Sequence, residues 1–516
     1  MAKIMSVSEA VKTYIKDGST VTFGGFVGSA HPEEVSLTIE EEFLATGHPC
    51  DLTLLYCAGM GDGKDKGLNH LGHEGLVSKV IGGHWGLVPK LQQLALENKI
   101  AAYNLPQGVI SQMYRDIAAG KPGVITHVGL KTYIDPRLEG GKINEKAKQA
   151  GDVVEVIQIR GEEKLFYPSI PLDVAVIRAT FADERGNCTM EHEGVTLDAL
   201  SLAQATKNSG GKVIMQVEKV VQFGSLDSRL VKIPGILVDA IVVAKPENHM
   251  QTFGTAYNPA FSGEVRIPVD AIAPLALDSR KVISRRAAME LVPNAVVNLG
   301  IGMPECISSV AAEEGIDGMV LTTESGVIGG VPAGGLDFGV TANAECVVDQ
   351  AYQFDFYDGG GLDVAFLGLA EMDGQGNVNV SKFGVKLPGC GGFINITQNA
   401  KKIVFCGTFT AGGLKEEFSG GKLEIIQEGR GKKLVSQVEQ ITFSGEYARQ
   451  KGQKVYYVTE RAVFELTEQG VTLIEIAPGV DLKKDVLDQM GFVPAMGDVK
   501  LMDSRLFGQA KMGLTL

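Results

Sequence analysis

Apolar positions along the chain fall in short runs set between longer amphipathic stretches. The runs at 52–57, 213–217, 236–244 and 403–405 read as strands. The stretches at 32–45, 89–98 and 285–291 read as helices. The N-terminal residues read as a helix entering a strand. This alternation predicts an α/β fold with a mainly parallel sheet.

The pattern repeats. DVAVIRATFADERGN at 173–187 is echoed by DVAFLGLAEMDGQGN at 363–377, 190 residues on. At the same offset Lys212-Val213-Ile214 falls on Lys402-Ile403-Val404, another strand start. A looser echo joins VTFGGFVGSAHPEEV at 21–35 to VVNLGIGMPECI at 296–307, each a strand running into glycines before Pro-Glu. Three shared features in one order predict two similar open α/β units. The polar, glycine-rich stretch after residue 245 sets the expected boundaries: a first unit at 1–245, a linker at 246–275 and a second unit at 276–516.

Composition narrows the class of function. With 44% hydrophobic and 21% charged residues the chain has ample material for a core and is not a disordered protein. The net charge of −14 argues against a nucleic-acid partner. The N-terminus lacks the apolar core of a targeting segment and no long uncharged apolar run occurs, so a cytoplasmic protein without membrane contact is expected. Seven scattered cysteines without CxxC spacing suit neither a zinc site nor a disulfide framework, and no metal is expected. All eight histidines lie at or before residue 249, so the second half has no imidazole of its own. The 65 glycines imply many tight turns and close backbone approaches.

Four segments carry candidate chemistry. GIGMPE at 300–305 follows a strand and opens a helix, which suits an anion as well as it suits a plain tight turn. LTTESGVIGGVPAGG at 321–335 places Glu324 at a strand end in a glycine-rich loop, either as an ordinary loop acid or as a carboxylate nucleophile. NVNVSKFGVKLPGCGGFINI at 377–396 joins Asn379 to the glycine turn at 389–392, a hairpin turn or a set of oxyanion donors. YNLPQG at 103–108 sets Gln107 after a proline. His84 and Trp85, the one tryptophan, read as packing.

Taken in order, GIGMPE, ESG, VSKFG and GCGG in the second unit, with GGFVGSAHPE at 24–33, LPQG and GKPGVITHVG at 120–129 in the first, closely resemble the family I CoA-transferases over nearly the whole chain. The single-chain, short-chain branch of that family, of the propionate or acetate CoA-transferase type, is the nearest in pattern. The resemblance implies two CoA-transferase units of the NagB/RpiA-like kind, in a homodimer or homotetramer. It implies transfer of CoA between a short-chain acyl-CoA and a free carboxylate of the acetate, propionate, lactate or butyrate class. Glu324 would be the nucleophile, passing through a glutamyl-CoA thioester. Asn379, Gly391 and Gly392 would hold the oxyanion. Gln107, Gly25 and Phe26 would meet the small acid, and Gly300, Gly302, Met303 and Gly389 would line the CoA groove. Coenzyme A is then a substrate and covalent intermediate, with no permanently bound cofactor. The alternative on the same fold is an acyl-CoA hydrolase, in which water resolves the intermediate. Exchange of one thioester for another through a carboxylate needs neither a histidine nor a metal, so a second half without histidine is no obstacle.

Overall fold

The computed structural model describes residues 2–268, 275–316 and 318–515. Residues 269–274 of the expected linker lie outside the described residues. Two compact units are present, and neither is continuous in sequence. One gathers Met1–Ile267, Thr323–Asp355 and Gly384–Asn395; the other gathers Pro268–Thr322, Phe356–Phe383 and Ile396–Leu516. The polar stretch up to residue 267 therefore packs with the first unit.

In the first unit eight parallel strands run in the order Lys3–Ile4, Ala240–Val243, Lys212–Val217, Val174–Arg178, Thr20–Phe23, Leu52–Tyr56, Val77–Gly82 and Ala101–Asn104. After the edge strand Lys3–Ile4 the chain enters mid-sheet at Thr20–Phe23, builds outward to Ala101–Asn104, then returns to the other side of Thr20–Phe23. The direction of winding reverses there, and the loop after Thr20–Phe23 lies where open α/β sheets present a crevice.

The second unit repeats this plan. Val320–Thr322, Val296–Leu299, Val364–Gly368, Lys402–Cys406 and Lys454–Val458 are successive parallel neighbours. Three further strands, Ala462–Thr467, Gly470–Ile476 and Ala495–Leu501, extend the far edge. The registers match: Val174 pairs with Lys212 as Val364 pairs with Lys402, and Val21 with Val174 as Val297 with Val364. The repeated side chains do repeated work. Asp173 Oδ2 accepts the Thr20 N–H at 2.8 Å, and Asp363 Oδ2 accepts the Val296 N–H at 2.9 Å. Asp183 closes its turn by accepting from Arg185 and Asn187, as Asp373 does from Gln375 and Asn377. Asn187 Oδ1 then receives the Gly235 N–H at 3.0 Å, and Asn377 Oδ1 the Gly445 N–H at 3.1 Å.

Two expected elements shift. The run at 236–244 opens as the 3-10 turn Gly235–Leu237, and its strand is only Ala240–Val243. Gly235 is pinned against the preceding turn, where a Cβ would sit 2.3 Å from the Arg185 carbonyl oxygen. The helix expected at 285–291 is Ser279–Ala288, with Asp278 accepting the Lys281 N–H as its cap. Its buried face is hidden from a hydropathy reading because it is charged. Lys281 pairs with Glu313 at 2.8 Å, Arg286 with Glu475 at 2.8 Å, and Arg285 donates to the carbonyls of Leu506, Gly508 and Ala510. No helix among the described residues is long and apolar enough to cross a membrane.

A line of imidazoles and carboxylates ties the helix Glu33–Thr46 to the 3-10 turn Leu68–Leu71. His70 Nε2 lies 3.0 Å from Glu33, its Nδ1 meets Glu40, and Glu40 takes His73 Nε2 at 2.6 Å. With a carboxylate at each ring nitrogen, His70 carries a proton on both. Burial opposes that charge, but the bonds and charges of Glu33 and Glu40 outweigh it and raise His70 above its ordinary 6.5. The same contacts outweigh burial at Glu33 and Glu40 and lower both. The histidine's share of stability is therefore complete below its unfolded value and fades as pH rises through the raised folded value. The carboxylates' share is present above their unfolded values and fades as the pH falls. His70→Gln should lower the thermal midpoint most near pH 6, and the gap to the parent should narrow by pH 9. Melting curves over that range would contradict this ion-pair account if the gap stayed constant or widened.

Candidate active site

The strand Val320–Thr322 is followed by a tight turn, closed by the Gly326 N–H on the Thr323 carbonyl at 3.1 Å. Gly326 has φ +104°, and a Cβ there would stand 2.0 Å from the Val348 carbonyl oxygen, so no other residue fits. Thr323 Oγ1 and Ser325 Oγ are 2.8 Å apart, and Ser325 donates onward to the Gly339 carbonyl at 2.6 Å. Thr323 and Ser325 are buried, whereas Glu324 between them stays half-exposed. The turn is braced from both sides of Glu324.

The loop after Thr20–Phe23 packs on the same region. Phe26 lies against Phe338 with ring centroids 5.7 Å apart, and a Cβ on Gly339 would strike the Phe26 ring at 2.4 Å. Gly25, at φ +149°, lets the chain pass His31, whose Cβ a side chain there would meet at 3.2 Å. Phe26 and Glu324 are thus linked through Gly339, whose carbonyl holds Ser325.

Gln107 opens the helix Gln107–Ala118 directly after the strand Ala101–Asn104. The glycine turn at 389–392 is hydrogen-bonded into the strand ends around it. Gly391 donates to the Gly83 carbonyl at 2.8 Å and accepts the Gln107 N–H at 2.9 Å; Cys390 donates to Asn104 Oδ1 at 2.9 Å, and Trp85 to the Pro388 carbonyl at 2.7 Å. Gly389, at φ +76°, is a fitted position, where a Cβ would sit 2.9 Å from Asn104 Oδ1. A Cβ on Gly391 would lie 3.6 Å from both Gln107 Oε1 and His84 Cδ2. Gln107, Gly391 and His84 are therefore neighbours, though Gly391 lies hundreds of residues beyond the other two in sequence. His84, read from sequence as packing, borders this turn; burial pushes it down to about 4, so its ring is neutral.

The expected oxyanion donors differ in what they already do. The Gly391 N–H is taken by Gly83, whereas Gly392 stands next along, directly before the helix Phe393–Asn399. Asn379 is fully buried, and its Nδ2 donates to Glu371 at 2.8 Å and to the Lys382 carbonyl at 2.6 Å. Its Oδ1 accepts from Ser381 and Lys382, so the side chain anchors its own turn within the second unit. To meet an oxyanion it would have to give up one of these bonds. In that unit Gly300 donates to the Phe366 carbonyl at 2.8 Å at the end of Val296–Leu299. Gly302, at φ +87°, is exposed with open space around it, and Met303 is half-buried beside the core. This loop follows the central strand of its sheet, as the Gly25 loop does in the first unit.

Other nucleophiles are muted. Burial pushes the Cys390 thiol up to about 12 and the Cys57 thiol well above its ordinary value, so neither is a thiolate near neutrality. Among the described residues, the grouping with ligand atoms close enough to share a cation is Asp17, His48 and Cys50, which includes none of the candidate site residues.

Residues 4–244 match the family model described as Coenzyme A transferase. The chain is 52% identical to the caffeate CoA-transferase of Acetobacterium woodii, covering 100% of this chain and 99% of that one. It is 46% identical to the acetate CoA-transferase YdiF of Escherichia coli K12, covering 99% and 96%. A crystal structure of the acyl-CoA transferase YdiF from E. coli O157:H7, described as a thioester complex with CoA, superposes with a TM-score of 0.93 at 45% identity, over 100% of this chain and 98% of that one. With full-length relatives at that identity, and with the braced glutamate turn and the glycine turn in place, the chain belongs to the coenzyme A transferase family.

Proposed function

We propose that this enzyme moves CoA between a short-chain acyl-CoA and a free short-chain carboxylate, acetate or propionate among them, in a ping-pong cycle through a thioester on Glu324. The observation that carries the reading is the half-exposed Glu324 in a turn whose flanking side chains are buried and bonded. The carboxylate attacks the acyl carbonyl, the thioester C–S bond breaks, and CoA leaves as thiolate from an acyl-glutamyl anhydride. The thiolate then attacks the glutamyl carbonyl and expels the first acid, leaving glutamyl-CoA. A second carboxylate runs the two steps in reverse, so no proton or water is consumed.

Each tetrahedral step concentrates charge on one oxygen, and one well-placed donor is worth about 3–4 kcal/mol there. Gly392 is the backbone donor assigned to that oxygen, and Asn379 serves only by exchanging a bond it now makes. Gln107, with Gly25 and Phe26, receives the small acid. The exposed loop of Gly300, Gly302 and Met303 receives CoA, and Gly389 shapes the turn beside Gln107. A relative named for acetate and a structure described as a CoA thioester support the reading. Transfer is favoured over hydrolysis because the relatives are named transferases. The family resemblance further supports a cytoplasmic homodimer or homotetramer, which sedimentation and fractionation would test.

Incubation with acetyl-CoA and no acceptor should raise the protein mass by one CoA less one water, with the adduct mapping to Glu324. Glu324→Ala should abolish transfer with an unchanged circular dichroism spectrum. Glu324→Asp should lose about 100-fold, because one methylene moves the carboxylate ~1 Å from its line of attack. An adduct on another residue, or near-normal transfer by Glu324→Ala, would refute the mechanism.

The acid is tested separately. With acetyl-CoA as donor, kcat/KM for propionate, butyrate and lactate should exceed that for caffeate, with total thioester constant throughout. A preference for caffeate would move the substrate class to that of the 52% identical relative. A steady fall in total thioester would establish the hydrolase.

A further inference from the structure

Behind Gln107 the first unit holds a buried polar chain that the transfer chemistry does not itself require. Asp198 stands at the N-cap of the helix Ala199–Asn208 but makes no side-chain cap bond. An aspartate there ordinarily accepts an N–H of the first turn. Instead its two oxygens are bonded to other partners. Oδ1 accepts the Ser111 hydroxyl at 2.5 Å, and Oδ2 accepts Gln350 Nε2 at 2.9 Å. Gln350 Nε2 also donates to Cys57 Sγ at 2.9 Å, and the Cys57 thiol donates to the Gln107 carbonyl at 3.1 Å. Gln350 Oε1 then accepts Gln107 Nε2 at 3.3 Å. All five residues are buried, with Gln350 only 1% exposed.

The direction of this chain follows from one fact of inventory. Both Asp198 oxygens accept here, from Ser111 and Gln350, as in an ionised carboxylate. Asp198 therefore turns the amide nitrogen of Gln350 toward itself, which leaves the Gln350 oxygen for Gln107, and so turns the nitrogen of Gln107 toward Gln350. The carboxamide of Gln107 is then fixed in rotation, with its oxygen on the Gly391 side and one N–H still available. The carboxylate is costly to keep in place. Burial pushes Asp198 up to about 7 and the charge of Asp349 pushes the same way, while the bond from Ser111, the nearby Cys57 thiol and the charge of Arg115 hold it down. Asp349 is itself occupied by Thr196 at 2.7 Å and by Lys232, which keeps the segment carrying Gln350 against Asp198. A capping residue that forgoes its cap and bears this cost is placed for another purpose.

We infer that Asp198, through Gln350, is a positioning residue that sets the carboxamide of Gln107 for the free carboxylate substrate. The inference rests on the role proposed above for Gln107 and adds the buried chain that enforces it. Neither Asp198 nor Gln350 touches substrate. Their loss should weaken capture of the acid and leave the chemistry at Glu324 intact.

The test is a double-mutant cycle on the full-length enzyme, with acetyl-CoA as donor and propionate as acceptor. Asp198→Asn keeps the shape and leaves one acceptor oxygen where two donors need one each. Its KM for propionate should rise about 10-fold, the worth of one net hydrogen bond, with kcat within about 3-fold of the parent. The CoA adduct on Glu324 should form to the parent extent. Gln107→Ala should raise KM similarly, and the double variant should be no worse than Gln107→Ala alone. Gln350→Met, which matches the volume without the amide, should reproduce the KM effect, and it serves as the test should Asp198→Asn not fold. An unchanged KM in Asp198→Asn or Gln350→Met, or effects of Asp198→Asn and Gln107→Ala that add in full, would overturn the positioning role. If Gln107→Ala alone left KM unchanged, the proposed contact between Gln107 and the acid would fall, and this inference with it. Adduct formation on Glu324 in the same samples would show that the covalent mechanism stands regardless.

Discussion

In each unit a carboxylate at the head of one strand holds the start of the strand beside it. Asp173 accepts from Thr20 and Asp363 from Val296. These two bonds set the register between the central strand and the strand that returns to it across the sheet. From that register follows the place where the winding reverses, and so the loops that leave there: Gly25 and Phe26 in one unit, Gly300, Gly302 and Met303 in the other. A slip of one residue would turn every side chain of the central strand to the opposite layer and move these loops with it.

On this frame the candidate site is assembled by backbone rather than by side chains. The glycine turn at 389–392 is laid onto the ends of two strands and the start of a helix through bonds to Gly83, Asn104 and Gln107. Such closeness requires that nothing project from the contact. A Cβ on Gly83 would stand 1.8 Å from the Cys57 carbonyl oxygen, and one on Gly326 is excluded as tightly by Val348. The many glycines are thus the condition for bringing main-chain donors and one carboxylate to a small acyl group. The buried chain from Asp198 to Gln107 is the complementary device, a set of side chains paired so that one amide is left with a single orientation.

What was legible in the sequence was periodic or local. The strand runs, the 190-residue repeat and its Asp-Asn turns show directly, because alternation and turn chemistry are properties of neighbouring residues. The order of ESG and GCGG carried the family resemblance, whereas from residues alone Glu324 reads first as an ordinary loop acid. The helix Ser279–Ala288 was misplaced because its buried face is built from Lys281, Arg285 and Arg286, whose partners lie far along the chain. His84 read as packing for the same reason, since its place beside Gly391 joins segments about 300 residues apart.

By itself, then, the sequence determined two α/β units, their repeated strands and turns, and the short motifs that hold the candidate chemistry. Only the tertiary structure decided that residues 323–355 and 384–395 pack with the first unit, which gathers Glu324, Gly392 and Gln107 into one compact body. It alone decided that the donors of Gly391 and Asn379 are already engaged. It alone joined Asp198 and Gln350, two isolated polar residues without a motif, behind Gln107. The physical reason is common to all three. Hydrogen-bond satisfaction is settled between atoms distant in the chain, and no local pattern of residue types records which donor meets which acceptor once the strands have closed.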